Sequence, residues 1–434
     1  IAVILRFAGL TYGDMLSDDA LYSFRALGWF DYMGGGNQTT PVQWFGEIPW
    51  WGNLSFHDAP PLVFAVQRVF FGIFGDSAFV AKLPFAVAGS LLIPLLYFSL
   101  RKFKEEKVAL LAGFLLAISS YAVWVSRVGY LEGIEIVFIL LSFFFFAGYL
   151  KEGKRWQLMV WGGVAALALL SKYTALFVVP SGVLYLLVWR RDVFKKRELW
   201  LAGLAFIIVL APVIMYNAKV FATRGHFDAA LSTMVGMHPE DFRLLGGRQV
   251  SIEFAKNAAG IFRVFSETSS PLFFALMVLS VAYLMIKIAR RKGDPLEQFL
   301  LVSMVMCFTM FLFVGGGQWY LTILTPFLIA SFAIFAFDVL GWLKKKNRVL
   351  PKAFGAALAL ICTWEALYAI NTNIFINPIG KEKIAYSPQR YHSYGFNELD
   401  SYIRTKIFPT LPPRARPTKQ NEVGMVDVGA MPKR

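Results

Sequence analysis

Long runs of Leu, Phe, Val, Ile and Ala return along this chain, many of them close to the roughly 20 residues a helix needs to cross a bilayer, and short charged connections separate them. Hydrocarbon offers a backbone no partners, so such a run must satisfy its own N–H and C=O groups and folds as a helix. Apolar residues make up 57% of the sequence, and the mean hydropathy is +0.55. These features predict an all-α, polytopic integral membrane protein. Spans are expected at 78–100, 108–125, 133–150, 156–171, 174–189, 199–217, 271–288, 298–314, 319–341 and 350–371, with 1–13 as the end of an eleventh. The chain begins without Met and inside an apolar run, so further sequence is expected before Ile1.

Lys and Arg collect in every second connection, at 101–107, 151–155, 190–197, 287–292 and 344–348. By the positive-inside tendency those connections face the cytoplasm, and 14–77, 126–132, 218–270 and the tail face outward. The net charge of +15 is then largely topological and calls for no nucleic acid. Residues 61–75 are too short for a comfortable span and would break the alternation, so a helix lying in the outer interface is expected there. Cys307 and Cys362 fall within expected spans and give no disulfide framework. The expected division is a membrane domain over 1–371, with loops 14–77 and 218–270 holding any chemistry, and over 372–434 an external tail or the start of a small soluble domain.

Asp18 and Asp19 follow the first apolar segment, and charge beside hydrocarbon is costly enough to ask for a reason. They could cap the helix that follows, or do chemistry; Tyr22 and Arg25 share their helical face. Trp44, Trp50, Trp51 and Phe56 suit a sugar or a polar headgroup, and equally suit interface anchors. His57 and Asp58 precede Pro60 and Pro61, where a metal site and a plain polar turn are both open. SRVGYLEG places Arg127 and Glu132 at the outer ends of two spans, where a structural snorkelling pair and a site are both open. Lys172 lies between short apolar runs with no acid nearby in sequence, a candidate phosphate contact or an interfacial lysine. The long loop carries His226 and Asp228, then His238, Glu240, Asp241 and Arg243.

The order of these pieces carries a resemblance. An acidic pair after the first span is followed by an aromatic loop ending in PPL, then by an R-x4-acid motif, a Lys between short spans and a His-x4-Arg loop. The chain resembles, over roughly 1–371, the polyprenyl-phosphate-sugar transferases of the GT-C superfamily, in particular the protein O-mannosyltransferase and aminoarabinose-transferase-like branch. The resemblance implies a helical bundle of about eleven spans with external juxtamembrane helices. It implies Asp18 as catalytic base, Asp19 beside it, and Glu132 as the second external acid, with Tyr22 and Arg127 as accompanying substrate-side residues. It matches His238 and Arg243 to the family's long-loop residues that approach a metal ion and a lipid phosphate. Ala59 stands where the family usually carries Glu, His or Lys before PPL, and His57 and Asp58 are displaced outward. WYLTILTPFL at 319–328 resembles the family's late span with Tyr and Pro.

The implied activity moves a sugar from an undecaprenyl- or dolichyl-phosphate donor to an acceptor on the outer side of the plasma or inner membrane, with inversion. Lys172 and Arg243 would hold the phosphate, and a divalent metal near His57, Asp58 and His238 is the implied cofactor. The partners implied are the lipid donor, a glycan, lipid or protein acceptor, and membrane lipid. A transporter or flippase of a lipid-linked sugar is the competing reading, expected to place ionisable residues along mid-span and to show repeat symmetry between its halves. A non-catalytic membrane scaffold binding a polymer through its tryptophans is the third.

Overall fold

The computed structural model describes residues 1–15, 18–27, 59–237, 253–375 and 394–410, and every regular element among them is helical. Near the amino terminus lie α1 (Ala2–Phe7), α2 (Asp18–Ala26) and α3 (Leu62–Phe74). The bundle follows as α4 (Ala78–Arg101), α5 (Glu106–Ile118), α6 (Ser120–Val125), α7 (Glu132–Glu152), α8 (Arg155–Ser171), α9 (Val178–Trp189) and α10 (Arg197–Arg224). After the short α11 (Ala229–Met234) come α12 (Phe254–Thr268), α13 (Pro271–Ala289), α14 (Pro295–Val314), α15 (Thr325–Lys346), α16 (Leu350–Asn373) and α17 (Phe396–Tyr402). Among the described residues, seven helical segments are long and apolar enough to cross a membrane: 78–101, 132–152, 197–224, 271–289, 295–314, 320–346 and 350–373. The other expected spans are shorter or interrupted.

Those interruptions have local causes. At Ser119 the expected span 108–125 divides, because the Ser119 backbone leaves the helical region and its hydroxyl accepts from the Ala122 N–H, capping α6. Glu365 of α16 completes the break. One of its carboxylate oxygens accepts from the Ser120 N–H at 2.9 Å, the other from the Ser270 N–H at 2.9 Å, so one buried side chain serves the starts of α6 and α13. A second break falls at Lys172, whose extended backbone leads into a 3-10 turn over Tyr173–Phe177 before α9. The third is the Gly315–Trp319 connection, followed by a 3-10 turn over Tyr320–Leu324. Irregular backbone at membrane depth survives only where protein or a polar space satisfies it, so three such breaks are informative.

Between helices in hydrocarbon, association rests on close van der Waals packing and hydrogen bonds. α8 packs extensively against α7 and α10. At its crossing with α10 a Cβ on Gly162 would lie 2.1 Å from the Ala202 carbonyl oxygen, whereas one on the neighbouring Gly163 would meet only the Val209 side chain at 3.8 Å. Gly162→Ala is therefore expected to force the helices apart at a cost of about 1–3 kcal/mol, and Gly163→Ala to be tolerated. Thermal unfolding of the two variants in detergent checks this; equal midpoints would contradict it. Deeper in the bundle Phe146 packs on Trp161, Tyr185 and Phe299, with Phe143 stacked on Phe299.

The basic connections converge at one end. Lys104 pairs with Asp294 at 2.6 Å and also with Glu297, Lys287 pairs with Glu297 at 2.7 Å and Asp338 at 2.6 Å, and Lys102 reaches Glu152 at 3.4 Å. Glu297 is fully buried among these lysines and forms a capping box with Asp294 at the start of α14. Connections that are far apart in sequence thus share one face of the bundle, as their charge predicts. The 13-residue α3 buries Val63, Phe64, Gln67 and Phe71 against α2 and α4 and leaves Val69, Ile73 and Phe74 exposed, a helix too short to cross with an apolar outer face.

Candidate active site

All three breaks open at the end opposite the basic connections, and the acidic pair stands there too. Asp18 and Asp19 are the first residues of α2, and an Asp19 carboxylate oxygen accepts from the Ala20 N–H at 2.9 Å. Asp18 is half-buried, whereas Asp19 is buried against the 126–131 connection. A Cβ on Gly129 would sit 3.2 Å from the Asp19 Cβ, so the glycine is what lets the two segments touch. Lys82, buried in the first turns of α4, lies in the field of Asp19, Arg127 and Asp14. No sequence pattern singled out Lys82, which looks like one basic residue at the start of an apolar run.

α2 is held by aromatic and polar contacts to α3 and α4. Tyr22 packs on Phe64 with ring centroids 5.8 Å apart, and the buried Arg25 guanidinium lies 5.9 Å from the Tyr22 ring. The Gln67 amide donates to the Ser23 hydroxyl at 2.8 Å and to the Ala81 carbonyl at 2.7 Å. Arg127 donates to the carbonyls of Leu5, Ala8 and Gly9 at 3.1, 2.7 and 3.0 Å, closing the carboxyl end of α1. Its side chain thus engages protein backbone in this structure.

Three residues beyond Gly129, Glu132 opens α7 with no solvent exposure. Its carboxylate accepts from the Lys172 ammonium at 2.5 Å, and the same ammonium lies 4.3 Å from the centre of the Tyr320 ring. The acid that the sequence around Lys172 lacks is supplied by the fold. Tyr320 belongs to the segment expected as the late Tyr- and Pro-containing span, while the preceding Gln318 receives the Tyr121 hydroxyl on its carbonyl. Asp19 and Glu132 are therefore joined through one short connection, and Lys172 and Tyr320 come to it from the other two breaks.

His226 and Asp228 are nearly buried, and Asp228 is architectural. It accepts from the Tyr173 hydroxyl at 2.6 Å and the Asn217 amide at 2.8 Å, and it caps α11 through the Leu231 N–H at 2.8 Å. His57, Asp58, His238 and Arg243, together with Trp44, Trp50, Trp51, Phe56, Glu240 and Asp241, lie outside the described residues. Among the described residues no group of three or more His, Cys, Asp or Glu could hold a metal ion.

The tail returns to this same end. Asp14 accepts from the backbone N–H groups of Tyr394, Phe396 and Asn397 at 2.5, 3.2 and 2.9 Å, and Arg404 reaches Asp76 at 3.5 Å. Burial alone would push the Asp14 carboxyl up, but these donors and the Gly395 N–H hold it below the usual carboxylate range. Docking of 394–410 is therefore present above the unfolded carboxyl value near ~3.9 and is lost as pH falls through the lowered folded value. Between about pH 5 and 8 it should not vary. Asp14→Ala is expected to release 394–410 to limited proteolysis at neutral pH with the bundle intact, and unchanged protection would refute the clamp.

Residues 58–216 match the family model described as Dolichyl-phosphate-mannose-protein mannosyltransferase, a stretch containing Arg127, Glu132 and Lys172. YkcB of Bacillus subtilis (strain 168), which bears the name of a mannosyltransferase, is 26% identical over 165 residues, covering 37% of this chain and 23% of that protein. The chain thus spans under a quarter of the length of that relative. The crystal structure of ArnT from Cupriavidus metallidurans bound to undecaprenyl phosphate aligns with a TM-score of 0.54 at 14% identity, over 87% of this chain and 69% of that one. The Archaeoglobus fulgidus oligosaccharyltransferase in complex with Zn and sulfate aligns with a TM-score of 0.58 at 16% identity, over 88% of this chain and 53% of that one. Over residues 58–216 this chain is therefore similar to the mannosyltransferase family model, and its helical fold is shared with these two solved structures.

Proposed function

We propose that this chain is the membrane domain of an inverting glycosyltransferase that takes a sugar from a polyprenyl-phosphate donor and transfers it on the outer side of the membrane. The observation that carries the reading is the close approach of Asp19, beside Asp18 at the start of α2, to Gly129 of the 126–131 connection, three residues before the Glu132–Lys172 ion pair and at the end away from the basic loops. ArnT in complex with undecaprenyl phosphate, a neighbour in fold, makes a lipid phosphate the donor class of choice. In this reading the seven long helices are joined by α5–α6, α8, α9 and α1 to give eleven crossings, with α3 in the outer interface.

A sugar on a lipid phosphate already has a leaving group, so the protein must align an acceptor hydroxyl, take its proton and stabilise the departing phosphate. Asp18, half-buried at the start of α2, is the base. Asp19 is held beside Lys82 and supports it. The acceptor oxygen attacks the anomeric carbon as the bond to phosphate breaks, the proton passes to Asp18, and the electron pair leaves on the phosphate. Lys172 and Arg243 receive that charge, and Glu132 orients Lys172 and the acceptor. A divalent ion held by His57, Asp58 and His238 would add positive charge near the phosphate, and no step depends on it. Mass spectrometry of cells lacking the protein should find one polyprenyl-phosphate-linked sugar accumulating and that sugar missing from a surface glycan, lipid or protein. Unchanged profiles of both would overturn the reading.

A further inference from the structure

The segment that Asp14 clamps is amphipathic, and it meets the protein with its polar side. Phe396, Leu399, Tyr402 and Ile403 recur at i, i+3, i+6 and i+7, so they share one side of α17 and the turn after it. Asn397, Asp400, Ser401 and Arg404 share the other side. The Asn397 N–H donates to Asp14 at 2.9 Å and its side-chain amide to the Gly13 carbonyl at 3.3 Å. Arg404, braced by Asp400 at 2.9 Å, reaches Asp76 at 3.5 Å. The apolar side points away from these contacts. Phe396, Leu399 and Tyr402 are 56, 51 and 57% exposed, and no residue from 396 to 407 is buried.

In water this arrangement is unfavourable. So short a helix is marginal alone, and a helix on the surface of a water-soluble body turns its apolar side inward. The anchors say what medium lies outside. Asp76 stands two residues before α4, a helix long and apolar enough to cross a membrane, so Arg404 is held where hydrocarbon gives way to headgroups. The last turn of α3 ends two residues from the same aspartate with Ile73 and Phe74 exposed, which brings a second free apolar surface to that level. Aromatic side chains favour this zone, and Lys406 can reach from it to the phosphates.

We propose that residues 396–407 lie flat in the headgroup region of the leaflet at this end of the bundle, with the bilayer as the partner that covers Phe396, Leu399 and Tyr402. The polar side rests on Asp14 and Asp76, which fix the segment beside α1 and α4. The tail is then a membrane-surface element from its first described turn. This holds whatever donor or sugar the chain uses.

The test places a nitroxide at one position at a time, through Leu399→Cys, Tyr402→Cys, Ser401→Cys and Thr405→Cys, in the full chain in nanodiscs of phosphatidylethanolamine and phosphatidylglycerol. All four positions are exposed, so no label has to fit a packed core, and the buried Cys307 and Cys362 are controlled with the unsubstituted chain. Labels at Leu399 and Tyr402 should collide with oxygen, which concentrates in lipid, and report a depth of about 5–10 Å below the phosphates. Labels at Ser401 and Thr405 should meet a water-soluble nickel chelate about threefold more often than those two. Equal nickel access on both sides means that water covers the segment, and overturns the proposal. Exclusion of both oxygen and nickel at Leu399 and Tyr402 means that protein covers it, and overturns the proposal as well. Spectral broadening that disappears on dilution with unlabelled chain would then identify that cover as a second copy, and its absence as another part of this chain.

Discussion

Asp18→Asn should lower sugar transfer in membranes about 100- to 10,000-fold, the contribution a positioned general base makes. The amide keeps the shape and the helix-start contacts of the aspartate but cannot take a proton from the acceptor. Donor affinity should stay near wild type, because the phosphate contacts assigned to Lys172 and Arg243 are untouched; the loss should fall on kcat. Stability should also hold, since Asp18 is only half-buried. Asp19→Asn provides the contrast. It removes charge that faces the buried Lys82 and leaves that ammonium less compensated, so its first effect should be a lower unfolding temperature. Wild-type turnover by Asp18→Asn, measured with a lipid-linked donor, would remove the base assignment and leave the acid pair to helix starting.

Lys172→Met should cost about 3–5 kcal/mol of stability, because Glu132 would remain buried with its countercharge gone. The loss should lie toward the upper end of that range, since Glu135, which accepts from the Thr174 hydroxyl at 2.6 Å, is buried one turn away in the field of the same ammonium. Adding Glu132→Gln to the same chain should recover most of the stability and none of the activity. The recovery follows from the pair's direct contact at 2.5 Å, which makes the two substitutions strongly non-additive. Unfolding in detergent and transfer assays on the four combinations separate the two roles. Additive stabilities would show that the contact carries no such energy, and recovered transfer in the double variant would show that the pair serves structure alone.

How much of this was legible in the sequence follows from the range of the forces involved. Spans and orientation depend on local composition, so the long helices and the gathering of the basic connections at one end could be read directly. The break at Lys172 was half-legible as a polar residue between short apolar runs, and α3 by its length. Lys172 was left without an acid because Glu132 is forty residues away and reaches it only when α7 and α8 pack. Lys82, Glu135 and Glu365 carry no such signal for a related reason: one charge inside an apolar run has no signature until its partner is known. Glu365 meets the starts of two helices 95 and 245 residues before it, which only a packed bundle can bring together. The tail, expected as an external tail or the start of a small domain, is pinned at 394–397 to Asp14, a pairing no local pattern contains.

By itself the sequence determined that the chain is built of helices of bilayer length, that its basic connections alternate, and which family pattern its acids and bases resemble, since hydropathy and charge act residue by residue. Tertiary structure decided which charges share a contact, where the spans break and how Asp19, Glu132, Lys172 and Tyr320 come to one end. The reason is electrostatic: a buried charge is stable only beside its partner, and the partner is chosen by how the helices pack.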